Sequence, residues 1–316
     1  MKAVVVHKYG GPEVLKFEDY PDPVPGAGEV LVRVAAASVN PLDYKRRAGL
    51  TDDYYPMHFP GLIGVDMAGT VVKIGPEVEG FSVGDQVFSM ADNTYAELCV
   101  VSAAILVKVP KGLDLIQAAA LPLLTITGNQ LLSATGIKAG QTVLVAGAVG
   151  NVGRSAVFTA KERGATVIAG VLKRQVDEAR TAGADQAVAT DDDTAIANLP
   201  PLDAVADTVD GRTAEKLIAK VKPGGVFATV LGAPQNAANY PAVKGGAGIL
   251  EIRQEDVRVH GRSRARWQAG HPDKRDPATQ ASGRGSSNGR KRCRREDPAS
   301  RLTLLYEQRT RKENRK

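Results

Sequence analysis

The chain of 316 residues, 43% of them hydrophobic, is long enough for one large or two ordinary globular domains. Its two cysteines, Cys99 and Cys293, exclude a disulfide framework and a four-cysteine zinc lobe. With no signal peptide and no apolar run of about 18 residues, we expect a cytoplasmic protein without a membrane span. The net charge of +6 is unevenly distributed: it is −4 over residues 1–250 and +10 over residues 251–316. The second region contains 19 Lys and Arg residues but only 9 Asp and Glu residues.

Residues 1–115 are predicted to be rich in β-strands. Short apolar runs are separated there by turns of Gly, Pro and Asp. The predicted strands include residues 2–7, 29–35, 69–74 and 86–90. This spacing favours a compact, barrel-like domain rather than βαβ units.

From about residue 116 the sequence alternates between helical and strand patterns. The first helix is predicted over residues 116–133, with Pro122 near its start. The predicted strands that follow are 142–146, 166–171, 186–189, 203–209 and 226–231, and the predicted helices are 151–163, 176–182 and 213–222. This alternation predicts an α/β fold with a doubly wound parallel sheet of the Rossmann type.

A glycine turn, residues 147–153, follows the strand 142–146 and opens the next helix. We expect Gly147 to allow the tight turn, Gly150 to let the backbone approach a pyrophosphate and Gly153 to let the helix pack on the sheet. The N–H groups at the helix start would hold the phosphates. The pattern predicts a dinucleotide site, with a glycine-rich loop without a ligand as the alternative. Its predicted residues are Gly147, Ala148, Val149, Gly150, Asn151, Val152 and Gly153.

Lys173 and Arg174 follow the strand 166–171, where an Asp or Glu would bind the 2′-hydroxyl of NAD. The next acid, Asp177, already lies in the following predicted helix. Two cations suit the 2′-phosphate of NADP, and Arg can bind phosphate through two parallel hydrogen bonds. The sequence therefore favours NADP(H) as the cofactor, with a solvated basic helix start as the alternative.

Motifs spread over residues 1–240 carry a family resemblance. They include residues 10–15 (GGPEVL), 28–32 (GEVLV), 35–43 (AAASVNPLD), 94–97 (TYAE) and 120–122 (ALP), together with glycines and apolar residues between 60 and 87. In this order, they resemble the zinc-independent branch of the medium-chain dehydrogenase/reductase superfamily, the quinone oxidoreductase-like enzymes.

The resemblance implies a GroES-like catalytic domain over residues 1–118 and a Rossmann NADP-binding domain over residues 119–250, facing each other across a cleft. It also implies a homodimer that uses NADPH to reduce quinones, enones and related activated double bonds. Thr127 matches the linker helix of the family and would contact the nicotinamide. A helix-internal hydroxyl bonded to its own turn is the alternative for Thr127.

Asn40 and Tyr44 lie on the turn that resembles the active-site loop of the family. In catalysis without zinc, a hydrogen-bond donor would stabilise the anion that develops on the substrate. Asn40 could donate its amide to the carbonyl or to the nicotinamide ribose, and Tyr44 could donate a proton directly or through water. A turn-capping Asn and a wall aromatic are the alternatives. Lys45, Tyr54 and Tyr55 are additional candidates.

No metal site is predicted. Asn40 and Val65 stand where the zinc-dependent branch has a cysteine and a histidine, and neither residue can supply a thiolate or an imidazole. The four histidines, at positions 7, 58, 260 and 271, lack the spacing of zinc ligands.

Residues 251–316 depart from the family pattern. Trp267 is the only large apolar residue between positions 260 and 300, so we expect this basic tail to be disordered or poorly packed. Reading the back-translated codons of residues 271–280 and 288–300 in a shifted frame permits strings that resemble the family, which favours a frameshift. A nucleic-acid-binding arm and a tail-damaged, non-catalytic NADP-binding protein are the alternatives.

Overall fold

The computed structural model describes residues 1–247, which divide into two compact units: unit 1 (Met1–Pro122) and unit 2 (from Leu123 onward). This boundary lies four residues after the predicted one at 118. The basic tail predicted over residues 251–316 lies outside the described residues. Within residues 1–247, no helix combines the length and the apolar character that crossing a membrane requires.

Unit 1 is built from short strands and two short helices. The strands are β1 (Lys2–Val6), β2 (Leu15–Asp19), β3 (Glu29–Ala37), β4 (Gly61–Leu62), β5 (Asp66–Ile74), β6 (Gln86–Met90), β7 (Leu98–Ser102) and β8 (Val107–Lys108), and the helices are α1 (Pro41–Arg47) and α2 (Leu115–Ala119). Within residues 1–122 the strands form two antiparallel sheets, in the orders β2-β1-β4 and β7-β3-β5-β6-β8.

The core of the larger sheet of unit 1 follows from alternation along its strands. In β3, Val30 and Val32 are buried, and they pack with Met67 and Val71 of β5. The chain leaves β3 at Ala37 and enters α1 after three residues. The β-rich prediction for this region is confirmed.

Helix α1 was not predicted, although local signals explain it. Pro41 stands at the first helical position, where its missing N–H costs nothing, and Asp43 lies in the first turn. The helix ends at Arg47, and Gly49, two residues later with a φ of 77°, closes it by donating its N–H to the Arg46 carbonyl. The segment interpreted as a turn is therefore one turn followed by a short helix, which fixes the spacing of Asn40 and Tyr44.

Unit 2 alternates helices and strands. Its helices are α3 (Pro122–Thr135), α4 (Asn151–Glu162), α5 (Val176–Thr181), α6 (Asp193–Ala197) and α7 (Gly211–Ile218), and its strands are β9 (Thr142–Ala146), β10 (Thr166–Val171), β11 (Gln186–Ala189), β12 (Leu202–Asp207), β13 (Val221–Thr229) and β14 (Lys244–Ala247). In the described residues the strands form one parallel sheet in the order β11-β10-β9-β12-β13-β14. The predicted doubly wound parallel sheet is confirmed.

Both faces of this sheet are covered, which explains why β9 is apolar from Val143 to Ala146. Val143 and Val145 face one layer, with the buried side chains of α3, α4 and α5. Leu144 and Ala146 face the other layer, which contains Ile196 of α6 and the buried residues of α7. All four strand residues have an exposed fraction of 0%.

The single helix predicted over residues 116–133 is wrong. The structure has α2 and α3 instead, because the chain stops being helical at Ala120 and Leu121. Pro122 has no N–H to donate and disfavours a helical backbone in the residue before it, so it can only begin a helix. Elsewhere in unit 2 the predicted elements are present, with ends shifted by a few residues; β13, for example, was predicted over residues 226–231 and spans Val221–Thr229. The short helix α6 was not predicted.

Candidate functional site

The glycine turn connects β9 to α4 and is tied to the neighbouring strand by its own backbone. The N–H groups of Gly147 and Ala148 both donate to the Gly170 carbonyl of β10, at 2.8 and 3.3 Å. The Gly150 N–H donates to the Gly147 carbonyl at 2.8 Å. The turn therefore has one defined conformation without help from side chains of its own.

The three glycines of the turn are required for different reasons. Gly147 has a φ of 74°, and a side chain there would also collide with Thr208. A Cβ on Gly153 would overlap the Gly147 carbonyl, so α4 can pack this closely only without one. Gly150 has an ordinary φ of −71°, is exposed, and its Cβ would meet a single atom, the Gly147 oxygen at 3.1 Å.

Gly150 therefore leaves an open patch of backbone at the start of α4. Its φ does not demand glycine, and a Cβ would contact only the Gly147 carbonyl oxygen, at a tight 3.1 Å, so the outer side of this backbone is open to close approach by a ligand. Gly150 is also the N-cap of α4 and has no side chain to cap the helix. The first helical hydrogen bond comes from Arg154 N–H to the Gly150 carbonyl, at 2.9 Å. The N–H groups of Asn151 and Val152 precede it, and such groups bind anions.

The glycine turn lies where the strand order of the sheet reverses. Strand β9 pairs with β10 on one side and with β12 on the other. At the carboxyl end of β12, the Thr208 hydroxyl donates to the Ala146 carbonyl at 2.7 Å. Burial raises the pKa of the neighbouring Asp207, whose carboxylate accepts from the Thr229 hydroxyl at 3.0 Å. In open α/β sheets such a reversal is the usual position of a ligand.

Lys173 and Arg174 form the turn that follows β10, next to the glycine turn at the same edge of the sheet. Both side chains are exposed. The backbone of this turn is held because Lys173 N–H donates to the Asp191 carboxylate at 2.8 Å. The fold thus brings the predicted phosphate-binding turn and the predicted basic pair together at one edge.

Arg154 links the two predicted cofactor segments. Its guanidinium donates to the Val149 carbonyl at 2.9 Å and to Glu178 of α5 at 2.5 Å. It therefore ties the glycine turn to the helix that follows Lys173 and Arg174. Sequence reasoning missed Arg154, because its partners are 5 and 24 residues away.

Thr127 lies inside α3 and is half-buried. The next residue, Gly128, packs against α4, where a Cβ would meet Ser155 at 2.6 Å and the Val152 carbonyl at 2.8 Å. The Ser155 hydroxyl also donates to the Thr125 carbonyl at 3.2 Å. Thr127 is thus on the helix that crosses the start of α4, and its contact with a nicotinamide stays a prediction.

In unit 1, Asn40 belongs to a polar cluster rather than standing free. Its side-chain Nδ2 donates to the Ser38 hydroxyl at 2.9 Å and to Asp66 Oδ2 at 3.0 Å. The Ser38 hydroxyl donates to the same Asp66 oxygen at 2.7 Å. The Asn40 main-chain N–H donates to Asp43 at 2.7 Å, so the residue also begins α1. We call Ser38, Asn40, Asp43, Asp66 and Tyr95 the Asn40 cluster.

Asp43 is the buried acid of the Asn40 cluster. Its Oδ2 accepts hydrogen bonds from the Asn40 N–H and, at 2.8 Å, from the Tyr95 hydroxyl. Its Oδ1 is buried and has no hydrogen-bond partner. Desolvation outweighs these bonds and the nearby Arg46, and raises the pKa of Asp43 from its ordinary value of 3.8 to about 6. The sequence offered no sign of this environment beyond a turn-capping Asp.

Tyr44 lies on the outer side of α1, with 49% of its surface exposed. Its hydroxyl makes no hydrogen bond with another residue in the described range. Tyr54 is exposed as well. Tyr55 differs: its hydroxyl donates to Asp92, and Arg46 stacks over its ring at 3.8 Å. Tyr44 and Tyr54 therefore stay available to a ligand, whereas Tyr55 holds Arg46 in place.

Asp66 and Tyr95 were missed as site residues. Asp66 is fully buried at the start of β5. Tyr95 precedes β7 and lies 55 residues after Asn40 and 29 residues after Asp66 in the chain. The signal that could have identified Asp66 was an acid at the start of a largely apolar strand. Among residues 1–247, no three His, Cys, Asp or Glu side chains cluster as they would around a metal ion. Val65, at the position of the zinc-binding histidine, is buried and apolar.

Comparison with known proteins adds independent findings. Residues 26–111 match the family model of the alcohol dehydrogenase GroES-like domain. The chain is 34% identical over 250 residues to the NADPH-dependent alkenal/one oxidoreductase of Arabidopsis thaliana chloroplasts, covering 74% of this chain and 63% of that protein. The matched region of this chain spans between half and two thirds of the length of such curated relatives.

Solved structures share the fold. The quinone oxidoreductase from Coxiella burnetii superposes with a TM-score of 0.74 at 30% identity, covering 85% of this chain and 88% of that one. A mycobacterial protein solved in complex with NADPH superposes with a TM-score of 0.71 at 29% identity, covering 85% and 89% of the two chains.

Proposed function

Because the chain belongs to the medium-chain dehydrogenase/reductase superfamily, among its quinone oxidoreductase-like members, we propose that it is an NADPH-dependent oxidoreductase that transfers hydride to quinones or α,β-unsaturated carbonyls without zinc. The observation that carries the proposal is the open backbone at Gly150, where φ is ordinary and a Cβ would contact only one protein atom. The small-molecule substrates are suggested by the names of the relatives, an alkenal/one oxidoreductase and a quinone oxidoreductase.

Residues of unit 2 fit the cofactor by their chemistry. The N–H groups of Asn151 and Val152, at the start of α4, would hold the pyrophosphate beside Gly150. Lys173 and Arg174 would bind the 2′-phosphate of NADPH, since both are exposed at the same edge of the sheet. When bound, NADPH supplies the hydride. Thr127 would contact the nicotinamide from α3.

Residues of unit 1 would act on the substrate. Asn40 would contact the substrate or the nicotinamide ribose, and Tyr44 would donate a proton directly or through water. The exposure of Tyr44 supports its role. Quinone reduction has little need of this proton, because solvent can protonate the product. Asn40 and Val65 lack the thiolate and imidazole of a zinc site, which supports a zinc-free reaction. We also propose a cytoplasmic location and a homodimer.

Titration of the full chain with NADPH and with NADH, followed by fluorescence of the nicotinamide, tests the cofactor. We expect NADPH to bind more tightly, and K173A and R174A each to weaken NADPH about tenfold while NADH is unchanged, as for loss of one charge-assisted bond to phosphate. Lys138→Ala is the matched control, since Lys138 is another exposed cation of unit 2. If K173A and R174A lost equal affinity for NADPH and for NADH, the proposed preference for NADPH would be contradicted.

Turnover of a model quinone and a model enone then tests the reaction. We expect the chain to oxidise NADPH with both, and Y44F to slow the enone far more than the quinone, since a positioned proton donor contributes about 100-fold or more. NADPH binding without turnover of either substrate would overturn the enzymatic proposal and favour a non-catalytic cofactor-binding protein. Failure to bind NADPH at all would overturn the cofactor proposal as well.

A further inference from the structure

The side-chain amide of Asn40 has two different ends, and its neighbours determine which end a ligand meets. Nδ2 lies 2.9 Å from the Ser38 hydroxyl and 3.0 Å from Asp66 Oδ2. The Ser38 hydroxyl lies 2.7 Å from the same Asp66 oxygen. The three groups form a closed triangle in which each polar atom contacts the other two.

The chemistry of Asp66 fixes the direction of these hydrogen bonds. Asp66 Oδ2 accepts hydrogen bonds from both the Asn40 amide and the Ser38 hydroxyl, and the exposed fraction of Asp66 is 0%. Turning the Asn40 amide by 180° would place its oxygen against that carboxylate, and two acceptors in contact, one of them fully buried, are strongly unfavourable. The Ser38 hydrogen also goes to Asp66, so the Ser38 lone pair takes the second Nδ2 hydrogen. Both hydrogens of the Asn40 amide are therefore used inside the cluster.

We infer that Asp66, together with Ser38, is a positioning residue that makes Asn40 a hydrogen-bond acceptor toward its ligand. The remaining polar atom of the side chain is Oδ1, and Asn40 is half-buried, so this oxygen is the end that a ligand can reach. This inference rests on the proposed function and narrows it. Asn40 cannot donate to a substrate carbonyl or stabilise an oxyanion while the triangle is intact.

The group that Asn40 binds must then carry a donor hydrogen. Hydroxyl and amide N–H groups meet this requirement, and two sources offer them: the ribose and carboxamide of the cofactor, or the hydroxyl of a reduced product. A cofactor donor would make NADPH affinity depend on the orientation of Asn40. A product donor would leave that affinity unchanged and alter turnover instead.

A reciprocal exchange separates an acceptor from a donor. In D66N the Asn40 amide loses its fixed direction, and we expect the affinity for NADPH or the kcat/KM for a quinone to fall about tenfold. In the double variant N40D/D66N, the new amide at 66 donates to the new carboxylate at 40, which still offers an oxygen to the ligand. Because total charge is conserved, we expect this double variant to recover to within about threefold of the parent chain.

The opposite outcome is equally clear. If Asn40 acts as a donor, N40D/D66N has no donor at position 40 and stays as impaired as N40A, which would overturn the inference. Thr51→Val provides a control for general damage, since the buried Thr51 hydroxyl donates to the Tyr55 carbonyl at 3.2 Å in the same unit. We expect Thr51→Val to lower the melting temperature and leave the affinity for NADPH unchanged.

A readout independent of activity keeps this inference distinct from the proposed function. With selective ¹⁵N-labelling of asparagine in the full chain, the two side-chain amide protons of Asn40 should both exchange with water much more slowly than those of exposed Asn198. In D66N the protection should disappear. Slow exchange in a chain that binds no NADPH would overturn the proposed function alone; exchange as fast as that of Asn198 would overturn the inference.

Discussion

The glycine turn of unit 2 and the Asn40 cluster of unit 1 are built on opposite principles. The glycine turn offers backbone N–H groups. Residues 147, 150 and 153 are glycines, and their lack of a side chain allows the shape of the turn. The Asn40 cluster offers side-chain atoms, and its shape depends on residues far apart in the chain, such as Asp66 and Tyr95. The first is a local structure, whereas the second exists only when unit 1 has folded.

This difference predicts different responses to substitution. Changes in the glycine turn act through steric overlap, so they depend on where a new Cβ would lie. Changes in the Asn40 cluster act through charge and hydrogen bonding, so they depend on pH and on which partner is left unpaired. Three experiments examine the comparison, beginning with the largest effect.

Gly153→Val should have the largest effect, because its Cβ would overlap the Gly147 carbonyl, which is backbone and cannot move aside. We expect unit 2 to lose about 1–3 kcal/mol of stability through overpacking, and NADPH binding to be lost with the geometry of the turn. Thermal unfolding followed by circular dichroism, together with NADPH titration, measures both. A stable variant that binds NADPH like the parent would show that α4 does not need this close approach.

Gly150→Ala should separate binding from stability. Its φ of −71° suits alanine, and the new methyl would meet one atom at 3.1 Å. We expect less than about 1 kcal/mol of destabilisation but a loss of about tenfold or more in NADPH affinity, since the methyl occupies the surface of the turn that the pyrophosphate approaches.

The control for this substitution is Gly26→Ala in unit 1, where an exposed glycine would likewise meet a single atom, Glu29 Oε2 at 3.3 Å. It should change neither property. Unchanged NADPH affinity in Gly150→Ala would mean that this glycine is not the contact point, and the main support of the proposed function would be removed.

Asp43→Asn should leave the glycine turn intact and act through the pH dependence of stability. Burial raises the pKa of Asp43 to about 6, so the folded chain holds a proton that the unfolded chain releases near pH 4. Ionisation of Asp43 therefore lowers stability as pH rises from about 4 to about 6, by roughly 3 kcal/mol at most. The cost is absent below pH 4 and complete above pH 6.

The measurement is the difference in unfolding free energy between the parent chain and Asp43→Asn at several pH values. Taking the difference cancels the contributions of the other carboxylates to the pH dependence of stability. Lysine partners lower the pKa values of Asp185 and Asp203, so these two groups make the folded chain more stable as pH rises. We expect the parent to lose stability relative to the variant between pH 4 and 6. A constant difference over this range would show that Asp43 is not desolvated.

Much of unit 2 could be predicted because its signals are local. The apolar strand β9, the glycines at 147, 150 and 153 and the helix after them are contiguous, so their order alone indicated a nucleotide-binding turn. The basic pair Lys173-Arg174 was predicted to share that site because it follows the next strand, about 20 residues beyond the glycines, where the ribose of a dinucleotide binds. The long helix over residues 116–133 was predicted wrongly, because apolar periodicity outweighed the signal from Pro122.

The sequence by itself determined the alternation of helix and strand in unit 2, the β-rich character of unit 1 and the backbone chemistry of the glycine turn, since each depends on neighbouring residues. Only the tertiary structure decided that Asn40 faces Asp66 and Ser38, that burial raises the pKa of Asp43, and that Gly150 alone of the three glycines is open to a ligand. The physical reason is that desolvation and hydrogen-bond partners are set by residues distant in the chain, which meet only when the strands pair.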